Sequence, residues 1–385
     1  MYKYILFPIL LIFFAFGVYY VYFNQTEKLT TTSLNISQAM SDNDTLFDKA
    51  DKIRLFNFPE DHSSHNKFKL EWWYFTGNLV NSDGNEYSYQ FTIFRNALSA
   101  DSVELNSNFA SNQLFFYHFA IADISENKFY FFDDYARNGA GLAGATSSPL
   151  KIWVNNSSIQ GVLGDGNVIK EWKINAVSDK FKINFSLFPE KNIVLHGEAG
   201  LSQKSYSKGN ASYYYSITRL RTIGTIQLLE SGKEKKININ GLSWLDREWS
   251  TTALSKEQVG WDWFSIQLND STELMYFKLR NKNGSADFAK GTLIYANGLT
   301  KKLYQSDLFI EEKSFWKNEK GDKYPSKWLL SIPSENIKLT IATKIPDQEL
   351  KLNLRYYEGS IRINGFNGKC EVNGSGFVEM TGYSN

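Results

Sequence analysis

Between residues 87 and 93 large apolar side chains take every second position: Tyr87, Tyr89, Phe91 and Ile93 alternate with Ser88, Gln90 and Thr92. A period of two belongs to a pleated strand with one face turned to a core. The turn cluster Asn81-Ser82-Asp83-Gly84-Asn85 precedes it, and residues 71–80 run apolar ahead of that, so the stretch reads as a long hairpin. Further strand-like runs follow at 114–122, 128–132, 172–176, 180–187, 213–220 and 222–229, with short turns between them. No comparable stretch of the body keeps an apolar period of 3.6, so the expected fold is all-β and antiparallel, a sandwich or barrel. Aromatic residues at 16% beside 7 prolines agree, because aromatic rings pack well on a pleated surface.

Glu71-Trp72-Trp73-Tyr74-Phe75-Thr76-Gly77-Asn78-Leu79 and Gly260-Trp261-Asp262-Trp263-Phe264-Ser265-Ile266-Gln267-Leu268 match at Trp72/Trp261, Phe75/Phe264 and Leu79/Leu268. Each opens a hairpin, closed by Arg95 in the first and Arg280 in the second. Two related β units are expected, over residues 59–228 and 229–385, with the charged turn at 230–236 as their boundary.

Residues 4–23 carry no charge and one proline, and a helix of about twenty residues spans a ~30 Å hydrocarbon core. The large residues Phe16, Val18, Tyr19, Tyr20, Val21 and Tyr22 offer no small-x-small cleavage site, so residues 1–25 read as an uncleaved anchor. Lys3 precedes the span, while Glu27, Asp42, Asp44 and Asp48 outweigh Lys28 and Lys49 after it. The body is therefore expected outside a bacterial cytoplasmic membrane, facing the periplasm or exterior, on a polar tether over residues 26–58. Forty-two Lys and Arg against 41 Asp and Glu supply no field for a polyanion, so nucleic acid is not an expected partner. The lone Cys370 allows neither an internal disulfide nor a cysteine metal cluster.

Several motifs lack their context. Gly139-Ala-Gly-Leu-Ala-Gly144 has the glycine spacing of a pyrophosphate loop, yet a β-like run after Pro149 stands where a helix is required. His62 and His65 lack an H-E-x-x-H partner set, and no G-x-S-x-G occurs. Neither a metal nor a cofactor is expected.

Two segments concentrate polar groups among aromatic ones: Phe58-Pro-Glu-Asp-His62-Ser-Ser-His65 leading into Glu71-Trp72-Trp73-Tyr74, and Gly241-Leu-Ser-Trp244-Leu-Asp246-Arg247-Glu248-Trp249-Ser250. With Gln90, Phe94-Arg95, His118-Phe-Ala-Ile-Ala-Asp123, Arg137 and Gly374-Ser-Gly-Phe-Val-Glu-Met-Thr-Gly-Tyr383, they resemble the AttH family, which includes hydroxyneurosporene synthase, the carotenoid 1,2-hydratase. The likeness runs from about residue 57 to 383 and is strongest to the lipocalin-like branch labelled predicted secreted hydrolases.

The resemblance implies two lipocalin-like (calycin) barrels in tandem. It also implies a hydratase mechanism, in which an acid protonates a terminal trisubstituted alkene and water captures the cation. Such chemistry needs a carboxylic acid kept protonated by apolar surroundings and aromatic faces for the cation. The hydratase's Tyr-x-Asp pattern aligns with Trp244-Leu-Asp246; its His-x-Trp pair falls nearest Tyr213-Tyr-Tyr215, which lacks the histidine.

Asp246 is thus the candidate acid, and Trp244, Glu248, Trp249, His65, Glu71, Trp73, His118 and Tyr215 the candidate ligand-binding residues. Alternation sends Trp244, Asp246 and Glu248 to one strand face. The competing reading is structural: Glu71 paired with Arg95 across the hairpin, Asp246 in an ion pair, the tryptophans as packing and His118 as a core histidine. The function these residues suggest is a membrane-tethered, extracytoplasmic lipocalin-like protein binding an apolar lipid or isoprenoid. The alternatives are a hydro-lyase of the carotenoid 1,2-hydratase type and an accessory protein of an ABC-type permease.

Overall fold

The computed structural model describes residues 46–383, except 101–110 and positions 231, 253, 256, 284, 287 and 354. The expected anchor and the first part of the tether lie outside the described residues. Among the described residues no helix is long and apolar enough to cross a membrane.

The alternation of the sequence becomes strand after strand. The first sheet holds β1 (Leu70–Val80), β2 (Glu86–Ala97), β3 (Gln113–Asp123), β4 (Lys128–Arg137), β5 (Ala143–Ser147), β6 (Leu150–Val154), β7 (Ser157–Leu163), β8 (Ile169–Val177), β9 (Phe181–Pro189), β10 (Val194–Leu195), β11 (Leu201–Gln203), β12 (Ala211–Glu230) and β13 (Lys233–Ser250). The second holds β14 (Gln258–Leu268), β15 (Glu273–Asn281), β16 (Phe288–Ile294), β17 (Thr300–Tyr304), β18 (Phe309–Lys317), β19 (Lys323–Ile332), β20 (Ile337–Thr343), β21 (Glu349–Lys351), β22 (Arg355–Asn367) and β23 (Cys370–Met380). Every pairing is antiparallel, in the orders β4-β3-β2-β1-β13-β12-β9-β8-β7-β6-β5 and β17-β16-β15-β14-β23-β22-β20-β19-β18. The fold is all-β, with two curled, lipocalin-like sheets.

The two orders superpose strand for strand around their middles. β1 lies between β2 and β13 as β14 lies between β15 and β23, so the matched aromatic runs at Trp72 and Trp261 occupy equivalent central strands. Each sheet wraps its own core, around Phe75, Phe91, Phe119 and Phe185 in the first and Phe264, Trp328, Ile341 and Ile363 in the second. Close approach in the second sheet demands glycine at position 376 of β23, where a Cβ would collide with the Ser265 carbonyl oxygen of β14.

Three expectations are corrected. The expected boundary at 228/229 falls inside the first sheet: β12 and β13 form one long hairpin whose tip is the charged turn, and the sheets part only after Ser250. The tether does not extend to residue 58, because Phe47, Ala50, Phe56 and Phe58 pack beside Tyr213, Tyr215 and Trp249 or in the adjoining core. The first hairpin has both faces buried, since Ser88, Gln90 and Thr92 are as hidden as the tyrosines between them. That second face looks toward the other sheet, where β2 meets β22.

One face of β1 and β13 carries a charge cluster. The Glu71 carboxylate accepts from Arg95 Nε and Arg247 Nη2, both guanidiniums fully buried, and from the His65 backbone N–H at 2.9 Å. Arg247 lies 4.0 Å over the Trp73 ring, and His65 stacks on Trp249 at 3.7 Å while bonding Asp61 at 3.0 Å. Burial alone would raise the Glu71 pKa, but the two guanidiniums and His65 hold it well below the ordinary carboxylate range. Removing one member of a buried pair strands the others. Glu71→Ala is expected to lower the unfolding free energy by about 3–5 kcal/mol, read from denaturant titration. Because the folded-state pKa is depressed, Glu71's stabilisation is present above the unfolded carboxylate pKa and is lost as pH falls below it.

Candidate functional site

Alternation gives β13 two chemically different faces. Leu245, Arg247 and Trp249 point toward the first barrel's core and its charge cluster, whereas Trp244, Asp246 and Glu248 point toward the second sheet. On β1 the same rule places Trp72 and Tyr74 beside Glu248 and Asp246 in register. Across from them stand Trp261 and Trp263 of β14, Phe277 and Leu279 of β15, Tyr356 of β22 and Glu379 of β23. Between the sheets these residues enclose a cavity of about 170 Å³, completed by Phe94, Phe116, Tyr214, Lys204 and Leu254. The cavity lies between the two sheets, whereas the interior of each sheet is filled by its own core.

Among the described residues Asp246 is buried with donors but no cation. Tyr214 Oη donates to its Oδ2 at 2.5 Å, and Trp244 Nε1 donates to Oδ1 at 2.6 Å, joined there by the Ser216 hydroxyl. Desolvation outweighs these three donors and pushes its pKa up to about 7, with Glu248 adding a small rise. Glu379 lines the opposite wall; burial, with Glu248 and Asp246 nearby, pushes it up to about 8 against a Trp261 hydrogen bond. Its cross-strand partner Glu358, which accepts from Tyr74 Oη at 2.8 Å, is raised well above its ordinary value by burial and by Glu379. Like charges directly opposite on paired strands repel, so carboxylic acids rather than carboxylates suit this wall. Lys204 Nζ pairs with Glu248 at 2.7 Å and sits 4.4 Å over Phe277.

Behind Asp246, Ser216 Oγ also meets His196 Nε2 at 2.6 Å, and His196 Nδ1 meets Thr292 Oγ1 of β16 at 2.9 Å. In a serine nucleophile triad the imidazole stands between serine and carboxylate. Here the serine stands between the other two, so the order does not activate it. Among the described residues no group of three or more His, Cys, Asp or Glu is arranged to hold a metal ion.

The structure divides the candidate residues by strand face. Asp246 and Glu248 line the cavity, Trp244 shares their strand face and packs beside the cavity without lining it, and Phe116, from the same face of β3 as His118, lines it. His118 itself is buried, with Nδ1 2.7 Å from Tyr356 Oη, and burial lowers its pKa to about 3. Trp249, Trp73, Tyr215 and His65 stand on the other side of the sheet and do not line the cavity. Trp249 and Tyr215 are odd-numbered neighbours of cavity residues, so the pleat turns them away. Tyr215 Oη instead meets His62 Nδ1 at 2.5 Å. Glu71 reaches the cavity edge but is clamped by its two arginines, the Arg95 pairing anticipated across the hairpin.

Tyr74, Tyr214 and Glu379 stand in the quoted segments but were not among the candidate site residues, and Ser216, His196 and Glu358 carried no motif. The signal for two of them was present: Tyr74 is two residues from Trp72 in the repeated run, and its equivalent Trp263 is the register partner of Glu379. Counting out from those strands, Asp246 corresponds to Glu379, Ser216 to Glu358 and Tyr214 to Tyr356.

An AttH-like family model matches residues 49–383. Among solved structures, an AttH protein of Nitrosomonas europaea is 29% identical with a TM-score of 0.75, covering 88% of this chain and 100% of its own. Kievitone hydratase of Nectria haematococca shares the fold at 17% identity and a TM-score of 0.65, covering 90% and 97%. CghA does so at 9% and 0.53, covering 89% and 98%. Comparison with curated proteins gives no match. A family match over nearly all of the described residues settles the lineage: the chain belongs to the AttH-like family.

Proposed function

We propose that this protein is a hydro-lyase that adds water across an alkene of an apolar, isoprenoid-class substrate held in the seam between the sheets, with Asp246 as the acid. One observation carries the reading: a buried carboxyl group, bonded only by neutral donors among the described residues, opens on an aromatic cavity, and burial pushes its pKa up to about 7. A general acid works best when its pKa lies near the operating pH. Asp246 gives its proton to one alkene carbon, the adjacent carbon takes the positive charge, and water adds there. The proton that the water sheds returns to the carboxylate, so the acid is regenerated and one water is consumed. Trp261, Trp263, Phe277 and Tyr214 line the cavity, and their rings would favour the intermediate cation. The shared fold of kievitone hydratase supports the reading. An anchor at residues 1–25 would keep this cavity beside the membrane in which such substrates dissolve.

The test is incubation of the purified full chain with a panel of terminal trisubstituted isoprenoid alkenes in oxygen-18 water, read by mass spectrometry. Label should enter the product, and Asp246→Asn should lower turnover about 10²–10⁴-fold while ligand retention persists. Unchanged turnover in that variant overturns the assignment. An apolar ligand that survives purification without ever taking up label would instead favour lipocalin-type carriage, which the same aromatic cavity supports.

The pH dependence follows from the direction of the shift. The protonated acid is the active form, so kcat/KM should be level below about pH 7 and fall about tenfold per unit above it. Stability gives an independent readout. The unfolded carboxyl ionises near 3.8 and the folded one near 7, so the folded state binds the extra proton between them. Unfolding free energy should therefore fall as pH rises across that window, by on the order of 1 kcal/mol per unit relative to Asp246→Asn.

A further inference from the structure

The two oxygens of Asp246 have unequal surroundings. Oδ1 faces Trp244 Nε1, which can only donate, and the Ser216 hydroxyl. Among the described residues Oδ2 faces only Tyr214 Oη, which itself accepts from Trp263 Nε1 at 3.0 Å. If Ser216 donates to Oδ1, its oxygen can only accept from His196, so Nε2 must carry the imidazole proton. Burial, helped by the Lys204 charge, lowers the His196 pKa to about 3 and leaves the ring neutral, so Nδ1 is bare and accepts from the Thr292 hydroxyl. His196 is held for this task by a tight turn after β10: its N–H donates to the Tyr214 carbonyl at 3.0 Å, and Gly197 takes a φ of 65°, where a side chain would strike Leu201.

We propose that Thr292, His196 and Ser216 form a one-way hydrogen-bond chain that saturates Oδ1 of Asp246 and confines its transferable proton to Oδ2, beside Tyr214 and the cavity. The three are positioning residues, acting on the substrate only through Asp246. When Asp246 is neutral, Oδ2–H donates to Tyr214 and the phenol hydroxyl turns toward the cavity. When the proton has left, Tyr214 donates back to Oδ2, and no group behind Oδ1 needs to move. The charged and titratable neighbours of this unit are Tyr214, Glu248, Glu379 and Lys204. The inference deepens the acid role proposed for Asp246 and rests on it.

The test needs no substrate. In the full chain with nitrogen-15 histidine, the His196 resonances, assigned by their loss in His196→Gln, should report a neutral ring protonated at Nε2 from about pH 5 to about pH 8. A dominant Nδ1–H form, or titration within that range, overturns the chain. The carbon-13 carboxyl signal of Asp246, assigned by its loss in Asp246→Asn, should titrate about one unit higher in Ser216→Ala, because a donor to the charged form is gone. An unchanged or lowered midpoint also overturns it. Thr292→Val should release the tautomer preference and let Nδ1–H appear, and Thr292→Ser should restore it; a tautomer indifferent to both contradicts the proposal. Loss of turnover with these signatures intact does not touch the chain, whereas turnover that survives Asp246→Asn removes the acid role and leaves the chain standing.

Discussion

A strand buried on both faces must satisfy two environments with one alternating run of residues, and β13 is where this constraint acts hardest. Arg247 lies on the face that meets Glu71, and Asp246 on the face that meets the second sheet. Both are charged residue types removed from water, but only Arg247 has an opposite charge against it, since the cavity-side Lys204 pairs with Glu248. Glu71 between two guanidiniums stays ionised and welds β1, β2 and β13 together. Asp246, given only neutral donors, has its pKa pushed up to about 7 by burial. Adjacent positions in one strand thus split into an ion-paired residue and a carboxyl with a raised pKa through what stands opposite each.

Much of this arrangement could be read from residue order. The alternation at Tyr87 to Ile93 located a strand, the turn at Asn81 to Asn85 set a hairpin, and that register brought Glu71 against Arg95. The same parity put Trp244, Asp246 and Glu248 on one face. Parity also explains why Trp249, Tyr215, Trp73 and His65 stand apart from the cavity: they project from the opposite side of the sheet to Asp246, which a local motif does not reveal. The unit boundary was missed because a charged glycine turn at a hairpin tip is composed like a linker, and only the pairing of β13 with β1 distinguishes them. His196, Glu358 and Thr292 were out of reach for another reason. They approach Asp246 or Glu379 across strand pairs and across the seam, contacts that no local pattern encodes.

The duplication accounts for the composition of the cavity wall. Equivalent strands supply equivalent positions, and the two copies have diverged around a shared plan: tyrosine persists at 214 and 356, acid at 246 and 379, while Ser216 and Glu358 differ. In the first copy the serine links the acid to a histidine. In the second a glutamate stands against the acid, and Tyr74 from the first copy donates to it. Each half therefore depends on the other for hydrogen bonds as well as for enclosure.

The seam has a consequence for biogenesis. During synthesis the first sheet can finish its pairing before β14 emerges, since β13 closes it at Ser250. At that stage the cavity face of β13 would meet water, and Asp246 would titrate like any solvated aspartate. Trp261, Trp263 and Phe277 then close over the cavity, and with them comes the burial that raises the Asp246 pKa. The environment that sets Asp246 apart from a surface aspartate is thus completed by the second sheet, after the strand that carries it has been made.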